Sequence, residues 1–256
     1  MLKQQTIEKL KKMRLGALAT AAEALDRAPN ASAMPKEEWL ALMVDHLYEE
    51  RMSTRLAKLI KDADLPCPEA CLEDLCTDAD RCLDLGMVDK LAMCDYISKG
   101  HNVILMGASG AGKSWLASAL ALCACNRYIR VASVCTQEMA DELGVLRENP
   151  PAHAKRIKQL KNVPLLIVDD WLAMECSAET VDELFAVVDA RTRGRKSTIV
   201  CTQYMIEGWP ERMGGFPAAE SVVDRLKNNS YKIMLRGEVS MRERFMDEEL
   251  RAYAQR

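Results

Sequence analysis

The segment Gly107-Ala108-Ser109-Gly110-Ala111-Gly112-Lys113-Ser114 has the spacing G-x-x-x-x-G-K-S/T. It stands between an apolar run, Val103-Ile104-Leu105-Met106, and a helix-forming stretch from Trp115 to Cys125. No other feature constrains the fold as strongly, because such a loop has to join a buried strand to a helix. The glycines let successive backbone N–H groups turn inward as a nest for phosphate oxygens. The positive end of the following helix dipole faces the same anion. The spacing predicts that Lys113 reaches the β- and γ-phosphates of a nucleoside triphosphate, and that Ser114 offers its hydroxyl to Mg²⁺.

Further short apolar runs follow at Val131 to Cys135, Val163 to Asp169, Ser197 to Thr202 and Tyr231 to Leu235, each separated from the next by a helical pattern. That order predicts a doubly wound parallel sheet with helices on both faces, its strands apolar on both sides. The preceding sequence is different in kind. From Leu2 to about Leu25 the apolar residues recur at helical spacing beside a basic face. Pro29-Asn30-Ala31-Ser32 breaks the pattern, and a second helix is expected from Pro35 towards Ile60, with Ser32 or Ala33 near its cap. Residues 1–62 therefore read as a small all-helical N-terminal domain. Residues 63–98 read as an acidic connection, interrupted by Pro66 and Pro68, with a solvated surface and a final helix from Met87 to Ser98. Residues 99–256 read as the nucleotide-binding domain.

The net charge of −3 excludes a chain coated in positive charge, so any nucleic-acid contact has to come from a local basic surface. No apolar run approaches the length of a membrane span, and the first residues, Met1-Leu2-Lys3-Gln4-Gln5-Thr6, have no leader pattern. A cytoplasmic protein with no membrane contact is expected. There are 10 cysteines, five of them (Cys67, Cys71, Cys76, Cys82 and Cys94) in one segment. They form no C-x-x-C pair, and His46, His101 and His153 lie elsewhere, so these thiols read as small buried hydrophobes rather than a zinc site.

Leu165-Leu166-Ile167-Val168-Asp169-Asp170 is an apolar strand that ends in two acids. Ligands in open α/β sheets sit at the carboxyl ends of the strands, so these carboxylates are placed to meet a phosphate-bound metal. Asp169 is the candidate Mg²⁺ holder. Asp170 is the candidate base, or the group that orients the attacking water. Gln203 closes the next strand, where its amide either bonds the γ-phosphate or water, or is simply an exposed strand end. Arg225 either offers its guanidinium to the γ-phosphate of a neighbouring subunit or pairs with Asp224 or Glu220.

Taken in order, the phosphate loop, the Asp169-Asp170 strand, the helix from Leu184 to Arg191, Ser197 to Gln203, Trp209, Val223-Asp224-Arg225-Leu226 and the segment from Gly237 to Arg242 resemble the IstB-like ATPases. These are transposition helpers related to the helicase loader DnaC and the initiator DnaA. The resemblance spans nearly the whole chain. It implies a P-loop fold of the AAA+ type without the usual C-terminal lid, and ATP-dependent assembly of a homo-oligomeric ring or spiral on duplex DNA. It further implies delivery of that DNA to an IstA-type transposase, with DNA-stimulated ATP hydrolysis resetting the assembly. Residues Gly107, Ala108, Ser109, Gly110, Ala111, Gly112, Lys113, Ser114 and Trp115 would bind ATP. Ser114 and Asp169 would hold Mg²⁺, and Asp170, Arg225 and Gln203 would act in catalysis.

The chain makes three departures from the family pattern. Gln203 stands where Asn is usual, Trp115 replaces a polar residue, and Trp171-Leu172 replaces Leu-Gly. Arg242 matches a terminal arginine to which sequence gives no role. The DNA-facing candidates are the first helix (Lys9, Lys11, Lys12 and Arg14), the insertion from Gln137 to about Lys161 (His153, Lys155, Arg156, Lys158 and Lys161), and the cluster Arg191, Arg193, Arg195 and Lys196. A DnaC-like helicase loader shares every ATP residue and differs in its partners. A small-molecule P-loop kinase fits less well, since no arginine-rich lid is evident.

Overall fold

In the computed structural model, residues 4–27, 34–78, 81, 83–237 and 239–244 are described. The chain divides into two compact units, Met1–Lys58 and Leu59–Arg256. The expected cap at Ser32 or Ala33, together with Cys82, lies outside the described residues.

The first unit holds α1 (Gln4–Lys12), α2 (Gly16–Asp26) and most of α3 (Lys36–Ala63). Its small core gathers Ala21, Ala22 and Met43, with Leu18, Leu25 and Trp39 packed against them. The single helix expected from Leu2 to Leu25 is instead two. Leu15 N–H donates to the carbonyl of Leu10 at 2.8 Å and Arg14 N–H to that of Lys11 at 3.0 Å, with Arg14 at φ 58°. This left-handed turn satisfies the last carbonyls of α1. It also puts Lys9, Lys11 and Lys12 in the last turn of α1, where cations meet the negative end of the helix dipole.

In the second unit the sheet order is β2-β3-β4-β1-β5, and every pair is parallel. The strands are β1 (Asn102–Met106), β2 (Val131–Cys135), β3 (Leu165–Asp169), β4 (Ser197–Thr202) and β5 (Ser230–Met234). β3 begins two residues later than the apolar run at Val163 and Pro164, because Val163 closes the preceding helix and Pro164 has no N–H to give the ladder. β5 is shifted by one residue from its expected place. β1, β3 and β4 are buried throughout, as double-sided packing requires. The edge strands are not apolar on both sides: β5 exposes Lys232, and Ala132, Ser133 and Cys135 of β2 are only partly covered.

Helices cover both faces. Ile104, Leu166, Val168 and Val200 join a core with Leu184, Val187 and Val188 of α9 (Ala178–Arg193) and Val222 and Leu226 of α11 (Pro217–Lys227). The alternate residues Val103, Leu105, Ile167 and Ile199 are equally buried on the opposite side, where α6 (Lys113–Asn126) crosses the sheet. Between β2 and β3 stand α7 (Thr136–Leu146) and α8 (Pro150–Asn162). The side chain of Asn149 caps α8, and two prolines open it.

The helix expected from Met87 to Ser98 is also split, into α4 (Leu85–Ala92) and α5 (Asp95–Lys99). Cys94, at φ 61°, makes the break, so that Val88 and Leu91 of the first piece and Tyr96 and Ile97 of the second are all buried. Asp84 caps α4 by accepting from Met87 N–H at 3.0 Å. Short α10 (Trp209–Arg212) precedes α11, and α12 (Met241–Arg244) ends the described chain. Among the described residues no helix is long and apolar enough to cross a membrane.

Candidate nucleotide-binding site

β1 is flanked by β4 on one side and β5 on the other, and the loop leaving its carboxyl end runs directly into α6. Two glycines of that loop are required by geometry. A side chain at Gly107 would run into the carbonyl oxygen of Leu235, and Gly112 holds φ 85° as the residue from which α6 starts. With Gly112 left-handed, the first turn of α6 keeps its N–H groups unpaired at the open end of the sheet, where they are available to an anion.

Lys113 is 8% exposed, and its Nζ donates to the carbonyls of Gly107 at 2.9 Å and Ala108 at 2.8 Å. Burial pushes its pKa below the usual lysine value. Cys201, Asp169 and Asp170 oppose that drop, and Arg242 adds to it. The ammonium is thus fixed against the loop by two carbonyls, in a partly desolvated place where an added anion would favour its charged form.

A cavity of about 620 Å³ opens above the loop. Ser109, Gly110, Gly112, Lys113, Ser114 and Trp115 form its floor, and Asp170, Gln203 and Arg242 stand on its walls. β3 and β4 are adjacent and β4 separates β3 from β1, so Gln203 rises between the phosphate loop and the acids. Asp169 is 9% exposed and lies deeper; its Oδ1 accepts from Asp170 N–H at 3.0 Å, while Thr136 Oγ1 donates to its carbonyl at 3.3 Å. Asp170 takes φ 47°, which turns the chain sharply after the strand and leaves its side chain exposed. The turn is held from behind by Trp171, whose N–H donates to the Cys201 carbonyl at 2.8 Å and whose ring packs 5.6 Å from that of Trp209. The residues that replace Leu-Gly here, Trp171 and Leu172, are both core residues.

Arg225 is not part of this cavity. On α11 it donates Nε to Asp189 Oδ1 at 3.2 Å and Nη1 to the Ser221 carbonyl at 3.0 Å, over the Phe185 ring. Neither Asp224 nor Glu220, the partners suggested by the sequence, holds it; it borders a separate surface hollow of about 480 Å³.

Sequence reasoning missed the wall contributed by the acidic connection. Cys67, Asp74, Leu75, Cys76 and Arg81 line the cavity, so this stretch is not merely a solvated surface. It is tied to α6 by Cys67 N–H donating to Ser118 Oγ at 3.3 Å and by Trp115 Nε1 donating to the Cys71 carbonyl at 3.4 Å. The one available signal was Trp115 itself, a large side chain beside a phosphate loop that needs something to pack on. Arg242, without a role in the sequence, enters from α12, where Met241 N–H donates to the Gly110 carbonyl at 2.9 Å.

The basic surfaces differ from those expected. Arg191 is 1% exposed and cannot meet DNA. In the α7–α8 insertion, His153 and Arg147 both bond Glu183, and Arg156 bonds Glu142. Lys155, Lys158 and Arg193 remain exposed.

The family model for IstB-like ATP binding proteins matches residues 8–248. A protein of Sinorhizobium fredii described as an insertion sequence ATP-binding protein is 33% identical over 94% of this chain and 96% of its own length. Another from an insertion sequence of Pseudomonas fluorescens is 33% identical over 79% and 87% of the two chains. Among solved structures, DnaI superposes with a TM-score of 0.58 at 19% identity, over 70% of this chain and 95% of that one. AMPPCP-bound DnaA from Aquifex aeolicus superposes with a TM-score of 0.56 at 18% identity, over 73% and 59%. At such identities these likenesses speak to the fold, which is that of the AAA+ P-loop proteins. By the match along nearly its whole length and by its relatives in insertion sequences, the chain belongs to the IstB-like ATP binding protein family.

Proposed function

We propose that this chain is an ATP-dependent, DNA-binding helper of transposition, which assembles on target DNA and presents it to the transposase of its element. The observation that carries the proposal is the family match over residues 8–248, with relatives that are insertion sequence proteins. The geometry supports the ATP part. Loop amides, the Lys113 ammonium and the Ser114 hydroxyl line one cavity of nucleotide size, with the Asp170 carboxylate on its wall and Asp169, an oxygen donor of the kind Mg²⁺ takes, one residue before it at the end of β3. ATP and Mg²⁺ fit these residues. Ser114 and Asp169 would hold the metal, which would supply charge neutralisation for the phosphates.

The chain's own groups perform the remaining work. Asp170 orients a water and takes its proton, with the Gln203 amide fixing the water or the γ-phosphate from the neighbouring strand. No guanidinium from α11 reaches this cavity, which supports a site completed by another copy: Arg225 of one protomer stabilises the charge that develops in the next. ATP occupancy thereby reports on the assembly, and hydrolysis releases it. Contacts to duplex come from exposed Lys155, Lys158 and Arg193 and from α1. They fall on phosphates, so binding is tolerant of sequence and sensitive to salt. A helical domain (1–62), an acidic connection (63–98) and an ATPase domain (99–256) divide these tasks, and the cytoplasm is the compartment in which they are carried out.

ATP turnover by the native chain and by Lys113→Ala, with and without duplex and single-stranded DNA, tests the reading. Hydrolysis raised by duplex and abolished in the variant is the expected result. Turnover indifferent to all nucleic acid would leave a nucleotide-binding module with no role on DNA.

A further inference from the structure

Two arginines of the second unit are almost wholly enclosed, and they differ in what surrounds them. Arg191 has a partner for each nitrogen: Nε donates to Thr198 Oγ1 at 3.0 Å, Nη1 to the carbonyls of Leu160 and Val163 at 2.7 and 2.9 Å, and Nη2 to the carbonyl of Ser197. Its role is structural and complete. Arg81 is 2% exposed, yet it has only the Ala111 carbonyl, 2.7 Å from Nη2, and the thioether of Met241, 2.5 Å from Nη1. Its Nε is buried with no partner, and among the described residues no carboxylate pairs with it. A buried guanidinium held by one neutral carbonyl and a weak sulfur acceptor is a cation that lacks its anion.

The place where the anion is missing is specific. Arg81 lines the same cavity as Lys113 and Ser114, and its Nη2 stands 3.4 Å from where a β carbon on Gly112 would be. Its planar fork therefore lies against the stretch of loop whose amides face the phosphates, and such a fork matches phosphate oxygens two at a time.

We propose that Arg81 is a nucleotide-binding residue: its guanidinium contacts the phosphate chain of bound ATP as a second cation beside Lys113, delivered by the acidic connection rather than by the sheet. The inference rests on the reading of the Gly107–Ser114 loop as a nucleotide site, and it adds a ligand from outside that loop. It also gives the connection a function, because a strap tied to α6 through Cys67 and Cys71 gains a bond to the nucleotide each time the site is filled.

The test is a titration of fluorescent ATP and AMP analogues into the full chain and into Arg81→Met, Arg81→Lys and Lys113→Ala, at two salt concentrations, with melting curves taken without nucleotide. Arg81→Met is expected to weaken ATP by about 10- to 100-fold, from the loss of charge-assisted hydrogen bonds. It should weaken AMP much less and flatten the salt dependence of ATP binding. Its melting temperature without nucleotide should be no lower than that of the native chain, since an unpaired buried charge has been removed. A merely structural staple would lower the melting temperature and weaken both nucleotides alike, and that result overturns the proposal. Native ATP affinity in Arg81→Met, with binding lost in Lys113→Ala, overturns it while leaving the nucleotide site intact. No ATP binding by the native chain overturns the site itself and this inference with it. Should Arg81→Met fail to fold, Arg81→Lys decides: a single ammonium in place of the fork is expected to weaken ATP several-fold, and native affinity in a folded lysine variant counts against the proposal.

Discussion

Arg225 donates its Nε to Asp189 Oδ1 at 3.2 Å, a bond between α11 and α9 on a surface apart from the phosphate cavity of its own chain. Asp189 also pairs with Arg193, so one carboxylate restrains two cations and sets the direction of each. A guanidinium held this way has a fixed direction, which the proposed role toward a neighbouring protomer requires.

If Arg225 acts on the next protomer, Arg225→Ala should retain ATP binding and lose turnover by on the order of 10³-fold. Mixing it with Lys113→Ala, which keeps Arg225 but has a defective loop, should restore part of the activity at interfaces that combine the two intact halves. Absence of any recovery in mixtures, with both variants folded and assembling, would show that the arginine serves its own chain or none.

Lys113 supports the loop and, on the proposed reading, the ligand too. Its Nζ is the donor to the carbonyls of Gly107 and Ala108, so Lys113→Ala leaves two acceptors without a partner. A loss of stability of about 1 kcal/mol is expected without nucleotide, together with a fall in ATP affinity of at least about 10-fold. Thermal melting and a binding titration on the same sample read the two effects. Unchanged ATP affinity would mean that the cavity above the loop is not the nucleotide site.

The parts legible in the sequence are those governed by local pattern. The loop spacing, the five apolar runs and the acids at the end of β3 each follow from short-range periodicity, and the sheet places them as that periodicity implies. Breaks at Arg14 and Cys94 were not legible, because a left-handed non-glycine residue is paid for by tertiary burial on both sides of it. The same holds for Arg191 and Arg81. A run of cations looks solvated until two carbonyls at a helix end and one at the start of a strand converge on one of them, and an arginine in an acidic stretch looks like a surface residue until the stretch folds over a loop thirty positions later. Arg225 has an identifiable role only relative to a partner acid 36 positions away, which no spacing rule connects to it.

Arg191 yields a prediction opposite to that of a DNA-binding residue. Burial pulls its pKa below the ordinary arginine value, and its hydrogen bonds tie α9 to the end of α8 and to β4. Arg191→Ala should destabilise the fold by about 3–5 kcal/mol, because it strands several buried carbonyls. Arg193→Ala, whose side chain is 76% exposed, should leave stability nearly unchanged and reduce duplex affinity with a shallower salt slope. Urea unfolding and DNA titration separate the two. Equal stability in both variants would contradict the burial of Arg191.

Buried thiols set an alkaline limit on stability. Cys94 and Cys125 are covered by the packing around α4 and α6, and burial raises each pKa from 9.0 to about 11. A thiol whose folded pKa lies above its unfolded value binds its proton more tightly in the native state. Its contribution is therefore fully present below pH 9 and is lost as the pH rises through about 11. The urea midpoint should accordingly fall across that interval, and Cys125→Ala should flatten the fall while lowering the midpoint slightly at neutral pH through the small cavity it leaves. Cys201 is more deeply enclosed, beneath Lys113 and beside Asp169, and its thiol is raised further by burial and by that carboxylate. Alkylation of Cys201 by iodoacetamide should therefore follow global unfolding, and modification of the folded protein at pH 8 would mean that the floor of the nucleotide site opens without the rest of the domain.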